Sequence, residues 1–468
     1  MAENYDLVIV GAGSGGLTAA QFGTALGAKV ALVEKARVGG DCTWTGCVPS
    51  KALIKVAWVA HEARTAGRYG VRTSDPTVDM AAVRDYVQGA VAEVYQQETP
   101  ESLRASGIDL ILAPGRFVDP QTLAAGGRTL CARAFLLCTG ARPKPPDLTG
   151  LADVPYMTYE NIFDNDRLPH HLLVVGGGPV GLEIAQAYRR LGAGVTVVAE
   201  RLLPREEPEV AEALDRVFES EGLRHLRGRA EAVRLDGDRI ELAAGSEQLR
   251  GDMLLVAAGR APVVDGLGLD EAGVSYSASG IGVDEHLLTN VKGIYAAGDC
   301  TGGYQYTHFA GWQAYKAARN ALFPGASSGW SDAVPAVTFT APEISHVGLL
   351  EAEARSKFGD SVQVARWDMA HTDRAVCDDE RDGFYKAVYK KDGTLLGATI
   401  MAPHAGEAIT ECVLALERGW KLAELAAVIH AYPTYSTPVQ LMASRVAIAE
   451  QLSGLAGKVI RGLADRAK

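Results

Sequence analysis

Two stretches of the chain share one order of apolar and polar positions. Residues 5–34, and a second stretch from residue 172 to 200, each run from an apolar strand through a glycine-rich turn into an amphipathic helix and a second apolar strand. The stretches align without gaps around the turn. The matching glycines are Gly11 with Gly176, Gly13 with Gly178, and Gly16 with Gly181.

This order of elements is the context that the dinucleotide-binding fingerprint GxGxxG requires. The first glycine allows the tight turn, the second lets backbone N–H groups approach a pyrophosphate, and the third lets the helix pack on the strand. The N-terminus of the helix favours the bound anion. Two copies in one chain therefore predict two dinucleotide sites that pass electrons between them.

The residue that ends the second strand indicates which ribose each copy binds. Glu34 ends that strand in the first copy, where an acid can bond a ribose hydroxyl. In the second copy Ala199 takes this position, and the acid follows as Glu200, with Arg201 next. Glu200 favours NADH because it repels a 2′-phosphate, whereas Arg201 or Arg205 can hold that phosphate and favour NADPH. The nucleotide preference stays open.

Loop-rich stretches indicate how the chain divides into domains. Residues 140–151 hold three prolines and predict a stiff connector, and residues 259–273 form a second loop-rich stretch. Beyond Pro335 two pairs of alternating strands precede helices from about 406 to 450. We expect a first domain over 1–150 that resumes over 273–332, a second over 151–272, and a third over 333–468.

Composition narrows the class of protein. The 468 residues carry 46 Lys and Arg against 57 Asp and Glu, a net charge of −11, with no dense basic cluster, so nucleic-acid binding is not expected. No apolar run is long enough to predict a membrane span. The N-terminus shows no signal-peptide pattern, and we expect a cytoplasmic protein. No His and Cys spacing predicts a metal site.

Two of the seven cysteines form the one close pair. Cys42 and Cys47 lie within residues 39–53, GGDCTWTGCVPSKAL. In a regular helix residues five apart have Cα atoms about 8 Å apart, whereas a disulfide needs about 4.4–6.8 Å. The pair can bond only if the helix is distorted, and Gly46 supplies irregularity. Pro49 suits a first helical turn, which predicts Cys47 near a helix N-terminus, where a thiolate is stabilised.

With this cysteine motif, two dinucleotide folds and a C-terminal domain, the sequence resembles the pyridine nucleotide-disulfide oxidoreductases. That family includes dihydrolipoamide dehydrogenase, glutathione reductase and mercuric reductase. The resemblance implies an α/β fold with two Rossmann-like domains and a C-terminal α+β dimerisation domain. It further implies FAD in the first copy, NADH or NADPH in the second, and a homodimer with shared active sites.

The resemblance also implies roles for individual residues. Cys47 would be the thiolate next to the flavin, and Cys42 the thiol that meets the acceptor. Lys51 would lie near the flavin and pair with Glu183. The residues implied to contact or face FAD elsewhere are Asp299 in AAGDC, Thr139 and Gly140 in TGARP, and His308 at the start of a helix whose N-terminus also carries Thr307.

The chain departs from the family pattern near its C-terminal end. Disulfide reductases of the family carry His-Pro-Thr-x-x-Glu there, whose histidine moves the proton in thiol exchange. Here Tyr432 replaces the histidine and Thr437 the glutamate. A tyrosine with a pKa of about 10 is a poor base near neutral pH. His430 would share a face with Tyr432 in a strand-like segment and is the alternative base.

Three hypotheses for function follow. The first is an enzyme resembling mercuric reductase, which passes electrons from NAD(P)H through FAD and Cys42–Cys47 to Hg(II) or another soft metal or electrophile. Mercuric reductases carry a C-terminal cysteine pair that this sequence lacks. The alternative is a dihydrolipoamide dehydrogenase-like or other disulfide reductase that uses Tyr432 or His430 as its base. A flavoprotein redox sensor is the least favoured.

Overall fold

The computed structural model describes residues 3–453. Contacts between Cα atoms divide the chain into two compact units, each built from separate segments. The first unit comprises Met1–Gly176, Ala187–Ala199 and Gly228–Ser331, and the second Gly177–Gln186, Glu200–Arg227 and Asp332–Lys468. The four domain segments expected from the sequence stay a prediction.

Strands and α-helices both occur along the whole described chain. The strands are β1 Glu3–Val10, β2 Val30–Glu34, β3 Asp109–Leu112, β4 Gly115–Asp119, β5 Thr122–Ala125, β6 Arg128–Leu137, β7 Ala141–Pro143, β8 His171–Val175, β9 Gly194–Ala199, β10 Arg224–Arg227, β11 Ala232–Asp236, β12 Arg239–Ala244, β13 Glu247–Gly251, β14 Met253–Val256, β15 Arg260–Pro262, β16 Tyr276–Ser277, β17 Gly280–Ile281, β18 Ile294–Ala296, β19 Ala336–Thr338, β20 Glu343–Gly348, β21 Val362–Asp368, β22 Phe384–Lys390 and β23 Leu395–Ala402. The helices are α1 Ser14–Ala25, α2 Gly40–Trp44, α3 Cys47–Thr65, α4 Met80–Tyr95, α5 Pro100–Ala105, α6 Pro179–Leu191, α7 Pro208–Ser220, α8 Thr307–Leu322, α9 Glu351–Phe358, α10 Asp373–Asp378, α11 Ala405–Ala408, α12 Thr410–Arg418 and α13 Thr437–Ser453.

The principal sheet of the first unit is parallel at its centre. Strands β3, β2, β1 and β6 lie side by side in that order, β18 adds to β6 in parallel, and β5 and β4 continue the sheet antiparallel. The β1 side chains Leu7, Val8 and Ile9 have no exposed surface because helices and neighbouring strands cover both faces. This burial explains why residues 7–10 of the strand are apolar at every position instead of alternating.

Smaller sheets complete the first unit. Strands β9, β8 and β14 run parallel, and β11, β12 and β13 form an antiparallel sheet. The proline-rich segment expected to act only as a connector contributes β7, which pairs with β15 from the second loop-rich stretch. Backbone hydrogen bonds thus tie together two loop-rich stretches that are far apart in the sequence.

The second unit contains an antiparallel sheet in the order β19-β20-β23-β22-β21. Both strand pairs expected beyond Pro335 are present, and the Lys391-Asp392-Gly393 turn joins β22 to β23. The core of this part includes Tyr385, Ile400 and Val439, each at most 1% exposed. Helices α11 to α13 follow the sheet, as the sequence predicts.

Helix α1 lies close to the turn that precedes it because of Gly16. A Cβ atom on Gly16 would lie 1.8 Å from the carbonyl oxygen of Gly11. We expect Gly16→Ala to lower the free energy of unfolding by about 1–3 kcal/mol or more, since the backbone would have to move. Urea unfolding measures the change.

The matched control for this substitution is Gly89→Ala. Gly89 lies in α4, is exposed, and has nothing within 4 Å of an added Cβ. Alanine there should raise the free energy of unfolding by up to about 1 kcal/mol through helix propensity. Equal stability of the two variants would contradict the packing role of Gly16.

Candidate active site

The first glycine-rich turn forms a cradle that side chains would fill. Gly11 has a φ of +102°, and a Cβ there would lie 2.3 Å from the carbonyl oxygen of Cys138. Gly13 caps α1 without a side-chain hydrogen bond, so the first backbone N–H groups of the helix are available to an anion. A Cβ on Gly40, just before the cysteine pair, would lie 2.7 Å from the Cα of Gly13. These features fit the pyrophosphate of FAD.

Glu34 lies at the carboxyl end of β2, where the sequence placed it. Its carboxylate is buried and accepts hydrogen bonds from the backbone N–H groups of Ala12 and Ala36, each at 2.7 Å. A carboxylate has about four acceptor positions, so two remain for a ribose diol. The contact with Ala12 also fixes the glycine-rich turn against β2, which the sequence did not predict.

Asp299 and the TGARP turn lie in the same unit as this cradle. The side chain of Asp299 is 15% exposed, and its carboxylate lies 3.1 Å from the guanidinium of Arg260. Burial raises the pKa of Asp299, while Arg260 opposes that shift. Thr139 donates a hydrogen bond of 2.7 Å to the carbonyl of Val263, and Gly140 has a φ of +73°. No sequence motif pointed to Arg260, which reaches the site because β15 pairs with β7.

The helix that would separate the two cysteines is broken between them. Helix α2 ends at Trp44, and α3 begins at Cys47, so the predicted distortion and the predicted place of Cys47 at a helix N-terminus are both present. A Cβ on Gly46 would lie 2.8 Å from the carbonyl oxygen of Asp41, which shows how tightly the chain folds back. Both cysteines are thiols in this structure, and the Cys42 thiol is hydrogen-bonded to Cys47.

The N-terminus of α8 faces the thiol pair. The hydroxyl of Thr307 lies 3.2 Å from the sulfur of Cys47, and the ring of His308 stacks on Tyr306. The hydrogen bond with Cys47, together with burial, raises the pKa of Cys42. The N-terminus of α3, where Cys47 lies, favours negative charge on a thiol at that position. The separate roles of Cys42 and Cys47 stay a prediction.

Polar residues beside the thiol pair were not predicted. The carboxylate of Asp41, which immediately precedes Cys42, accepts a hydrogen bond of 3.3 Å from the hydroxyl of Tyr159. Burial raises the pKa of Asp41. On the other side of Cys42, the hydroxyl of Thr43 donates to Glu98 at 3.1 Å. Tyr159 and Glu98 are distant in sequence and belong to no motif, so only the fold could identify them.

The second glycine-rich turn has the features of a nucleotide cradle as well. Gly176 has a φ of +123°, and a Cβ there would lie 2.4 Å from the carbonyl oxygen of Ala257. An added Cβ on Gly178 would meet nothing within 4 Å, so this position is open to a ligand. Gly181 lies in the first turn of α6. Glu200, directly after β9, is exposed, and the guanidinium of Arg201 donates to the carbonyl of Glu206 at 2.8 Å.

The expected pair of Lys51 and Glu183 stays a prediction. Lys51 lies half-buried on α3, one turn after Cys47. Glu183 is buried on α6, and its carboxylate accepts a hydrogen bond of 2.9 Å from the backbone N–H of Phe339.

The C-terminal segment differs from the sequence prediction. Residues 428–436 form no strand, and Tyr432 and His430 do not share a face. Tyr432 is 69% exposed and its hydroxyl donates to Asp373, a contact that raises its pKa above the ordinary value. The side chain of His430 is only 1% exposed. The prediction of a shared face was wrong because the chain turns at this point instead of extending.

Both ring nitrogens of His430 lie against oxygen atoms. Nε2 is 2.7 Å from the carboxylate of Glu411 on α12, and Nδ1 is 2.9 Å from the carbonyl of Val428. Both ring nitrogens are therefore engaged in contacts within the fold. No sequence pattern identified Glu411, because its partner His430 is 19 positions away.

Comparisons with known proteins agree with this geometry. The profile of the family described as "Pyridine nucleotide-disulphide oxidoreductase" matches residues 5–314, and the profile of its dimerisation domain matches residues 334–443. The chain belongs to this family. The α/β fold class expected from the sequence is therefore confirmed, and the protein is an oxidoreductase that depends on FAD and NAD(P)H.

Several members of the pyridine nucleotide-disulphide oxidoreductase family resemble the chain over nearly its whole length. The mercuric reductase of Bacillus cereus is 33% identical over 94% of this chain and 71% of that protein. The dihydrolipoyl dehydrogenase of Thermus scotoductus is 35% identical over 93% of this chain and 95% of that protein. A Cu(II) complex of RclA, an HOCl-induced flavoprotein disulfide reductase of Escherichia coli, has a TM-score of 0.84 at 26% identity, covering 94% and 99% of the two chains.

Within residues 3–453, no helix is long and apolar enough to cross a membrane. The same described residues contain no group of three or more His, Cys, Asp or Glu side chains that could hold a metal ion.

The raised pKa of Cys42 predicts how the reduced thiol pair reacts with iodoacetamide. Because only the thiolate is alkylated, labelling of Cys42 in the reduced holoenzyme should rise about tenfold per pH unit from pH 7 to 9, without a plateau. Mass spectrometry of the labelled peptide measures the rate. Cys47→Ser removes the neighbouring thiol, so the pKa of Cys42 should fall. Its labelling rate should then level off at a lower pH than in the wild type. A wild-type plateau below pH 8 would contradict the structure.

Proposed function

We propose that this enzyme reduces a thiol-bound soft metal ion, with Hg(II) as the first candidate. The observation that carries the proposal is an intact Cys42–Cys47 pair combined with a C-terminal segment in which the family's histidine and glutamate are replaced by Tyr432 and Thr437. Tyr432 is bound to Asp373, and His430 has both nitrogens engaged. Disulfide exchange needs a proton shuttle, whereas reduction of a metal held by two thiolates does not.

The proposed reaction balances without a proton shuttle at the acceptor. Bound FAD supplies two-electron transfer between NAD(P)H and the thiol pair. Cys42 and Cys47 hold Hg(II) through two sulfur–mercury bonds, and both bonds break when two electrons convert it to Hg(0). NAD(P)H and Hg(II) thus give NAD(P)⁺, a proton and Hg(0). The high pKa of Cys42 means that metal binding must displace its proton.

We propose that the cradle residues and the motifs described above hold FAD. Gly11, Gly13 and Gly16 surround the pyrophosphate, Glu34 binds the adenosine ribose, and Asp299 binds the ribityl chain. The TGARP turn, with Thr139 and Gly140, closes over the cofactor, and His308 and Lys51 lie near its ring system, with Glu183 as partner of Lys51. The cradle geometry described above supports the first two contacts.

The nicotinamide nucleotide is proposed to bind at the second turn. Its glycines, Gly176, Gly178 and Gly181, receive the pyrophosphate, while Glu200 and Arg201 face the adenosine ribose. An exposed Glu200 favours the free diol of NADH, and Arg201 favours the 2′-phosphate of NADPH. Both alternatives stay open for this chain.

A second candidate function is disulfide reduction. It is supported by the dihydrolipoyl dehydrogenase relative, which is as similar to the chain as the mercuric reductases are. Copper is a further candidate acceptor because the RclA structure was solved as a Cu(II) complex. A redox sensor would show no rapid multiple turnover with any of these acceptors.

We further propose a cytoplasmic homodimer. The match to the dimerisation domain supports the dimer. On that domain Ile429 is 94% exposed and Leu414 is 53% exposed, and Ile448, just beyond the matched residues, is 55% exposed. Apolar side chains of this exposure are typical of an interface. A reducing compartment such as the cytoplasm keeps the cysteines outside the Cys42–Cys47 pair as thiols.

The acceptor experiment compares Hg(II) in excess thiol with lipoamide, using NADH and NADPH as donors. We expect turnover with Hg(II) to exceed turnover with lipoamide by about 100-fold or more, because disulfide exchange without a base is slowed by about that factor. Cys42→Ser should reduce Hg(II) turnover by a similar factor while flavin absorbance is retained. The control Cys377→Ser removes an exposed cysteine outside the site and should have little effect.

Two variants separate the candidate functions. If neither Tyr432 nor His430 is a base, Tyr432→Phe and His430→Gln should each lower lipoamide turnover by less than about tenfold. Efficient lipoamide turnover that falls 100-fold or more in one of them would establish that residue as the base and favour disulfide reduction.

The homodimer predicts a mass in solution of twice that of one chain. Light scattering after size-exclusion chromatography measures it. Ile429→Asp should shift the protein toward monomer, because a charge would be buried at the interface. The control Val118→Asp changes a residue that is also exposed but lies on β4, outside the dimerisation domain. A monomeric wild type, or equal dissociation of both variants, would contradict the proposal.

A further inference from the structure

The segment that follows β9 turns back on itself before α7 begins. Leu203 has a φ of +43°, and the backbone N–H of Glu206 donates to the carbonyl of Leu203 at 3.0 Å. Glu200 and Arg201, proposed above to face the nucleotide ribose, stand at the entrance to this turn. The position of their side chains therefore depends on what fixes the turn.

One contact to the turn comes from the dimerisation domain. Nδ1 of His346 lies 2.7 and 2.8 Å from the two carboxylate oxygens of Glu206. Both side chains are nearly buried, at 13% and 9% exposure. His346 lies on β20, which is paired on both sides, opposite Ala336 of β19 and Thr399 of β23. The histidine is thus held on a central strand and gives Glu206 a rigid partner.

The same Glu206 also contacts Arg201. The guanidinium of Arg201 donates through Nη2 to the backbone carbonyl of Glu206 at 2.8 Å. Glu206 therefore links His346 to Arg201. Its carboxylate contacts the ring of His346, and its backbone carbonyl accepts a hydrogen bond from Arg201. An arginine side chain has several flexible torsions, so an anchor of this kind reduces the entropy lost when it binds an anion.

The turn has a second, independent attachment. Lys386 on β22, with its side chain 6% exposed, lies 3.3 Å from Glu207 and 2.8 Å from Glu209. Glu207 in turn accepts a hydrogen bond of 2.8 Å from the backbone N–H of Glu351. These contacts hold residues 207–209 in place independently of His346. Loss of His346 should accordingly loosen Glu206 without detaching the segment.

We propose that His346 is a positioning residue for the pyridine nucleotide, which orients Arg201 through Glu206 toward a 2′-phosphate. The inference rests on the proposed role of Arg201 in nucleotide binding. It assigns part of the nucleotide selectivity to a residue of the dimerisation domain that does not touch the nucleotide itself.

The test is direct binding of two fragments that carry no nicotinamide, 2′-phospho-ADP-ribose and ADP-ribose, to the FAD-loaded protein by calorimetry. We expect Arg201→Ala and His346→Ala each to weaken 2′-phospho-ADP-ribose binding about three- to tenfold, with less than a twofold change for ADP-ribose. The double variant should bind no more weakly than Arg201→Ala alone. His346→Gln, which keeps a hydrogen-bond donor, should restore part of the affinity.

The matched control is His225→Ala. His225 also pairs with a carboxylate, that of Asp215 at 3.0 Å, in the same segment but outside the linked contacts. It should leave the ratio of the two affinities unchanged, and an equal loss there would show a general loosening and overturn the inference. An Arg201→Ala variant without effect would overturn the proposed role of Arg201. An effect of Arg201→Ala with none of His346→Ala, or additive losses in the double variant, would overturn the link alone.

Discussion

The close approach of backbone segments around the thiol pair is the constraint on which the rest of the site depends. Gly40 lies against Gly13, so the segment that carries the cysteines lies directly on the first nucleotide turn. The break between α2 and α3 then brings Cys42 to Cys47. An added Cβ would lie too close to the neighbouring backbone at Gly40 and at Gly46. The redox pair and the cofactor cradle are therefore parts of one packed unit, and the position of one fixes the other.

The C-terminal segment shows how surroundings decide the chemistry of a residue type. A histidine two positions from the expected place is an obvious substitute for a missing base. In the fold it lies between the Glu411 carboxylate and the Val428 carbonyl, and both of its ring nitrogens are engaged in these contacts. A tyrosine in the expected place is exposed and bound to Asp373. The side chains are present, but their hydrogen bonds favour structural roles.

Charge pairs have a different role in the second unit. Glu206, Glu207 and Glu209 follow one another closely in sequence, and each is paired with His346 or Lys386 of the C-terminal part of the chain. Buried carboxylates are costly unless they are paired, so these contacts specify one arrangement of the turn that follows β9. The turn and the dimerisation domain are thus joined by paired polar side chains.

Local sequence determined the elements and motifs whose causes are short-range. The glycine fingerprints, the end of β2 at Glu34, the helix start at Cys47 and the hairpin at Lys391-Asp392-Gly393 all follow from a few neighbouring residues, because turn geometry and helix ends are local properties. The family pattern added the cofactors. Only the tertiary structure decided the partners: Arg260 beside Asp299, Glu411 beside His430, and His346 beside Glu206. Each pair joins residues from separate strands, helices or loops, and a hydrogen bond across such a distance in sequence has no local signal that could reveal it.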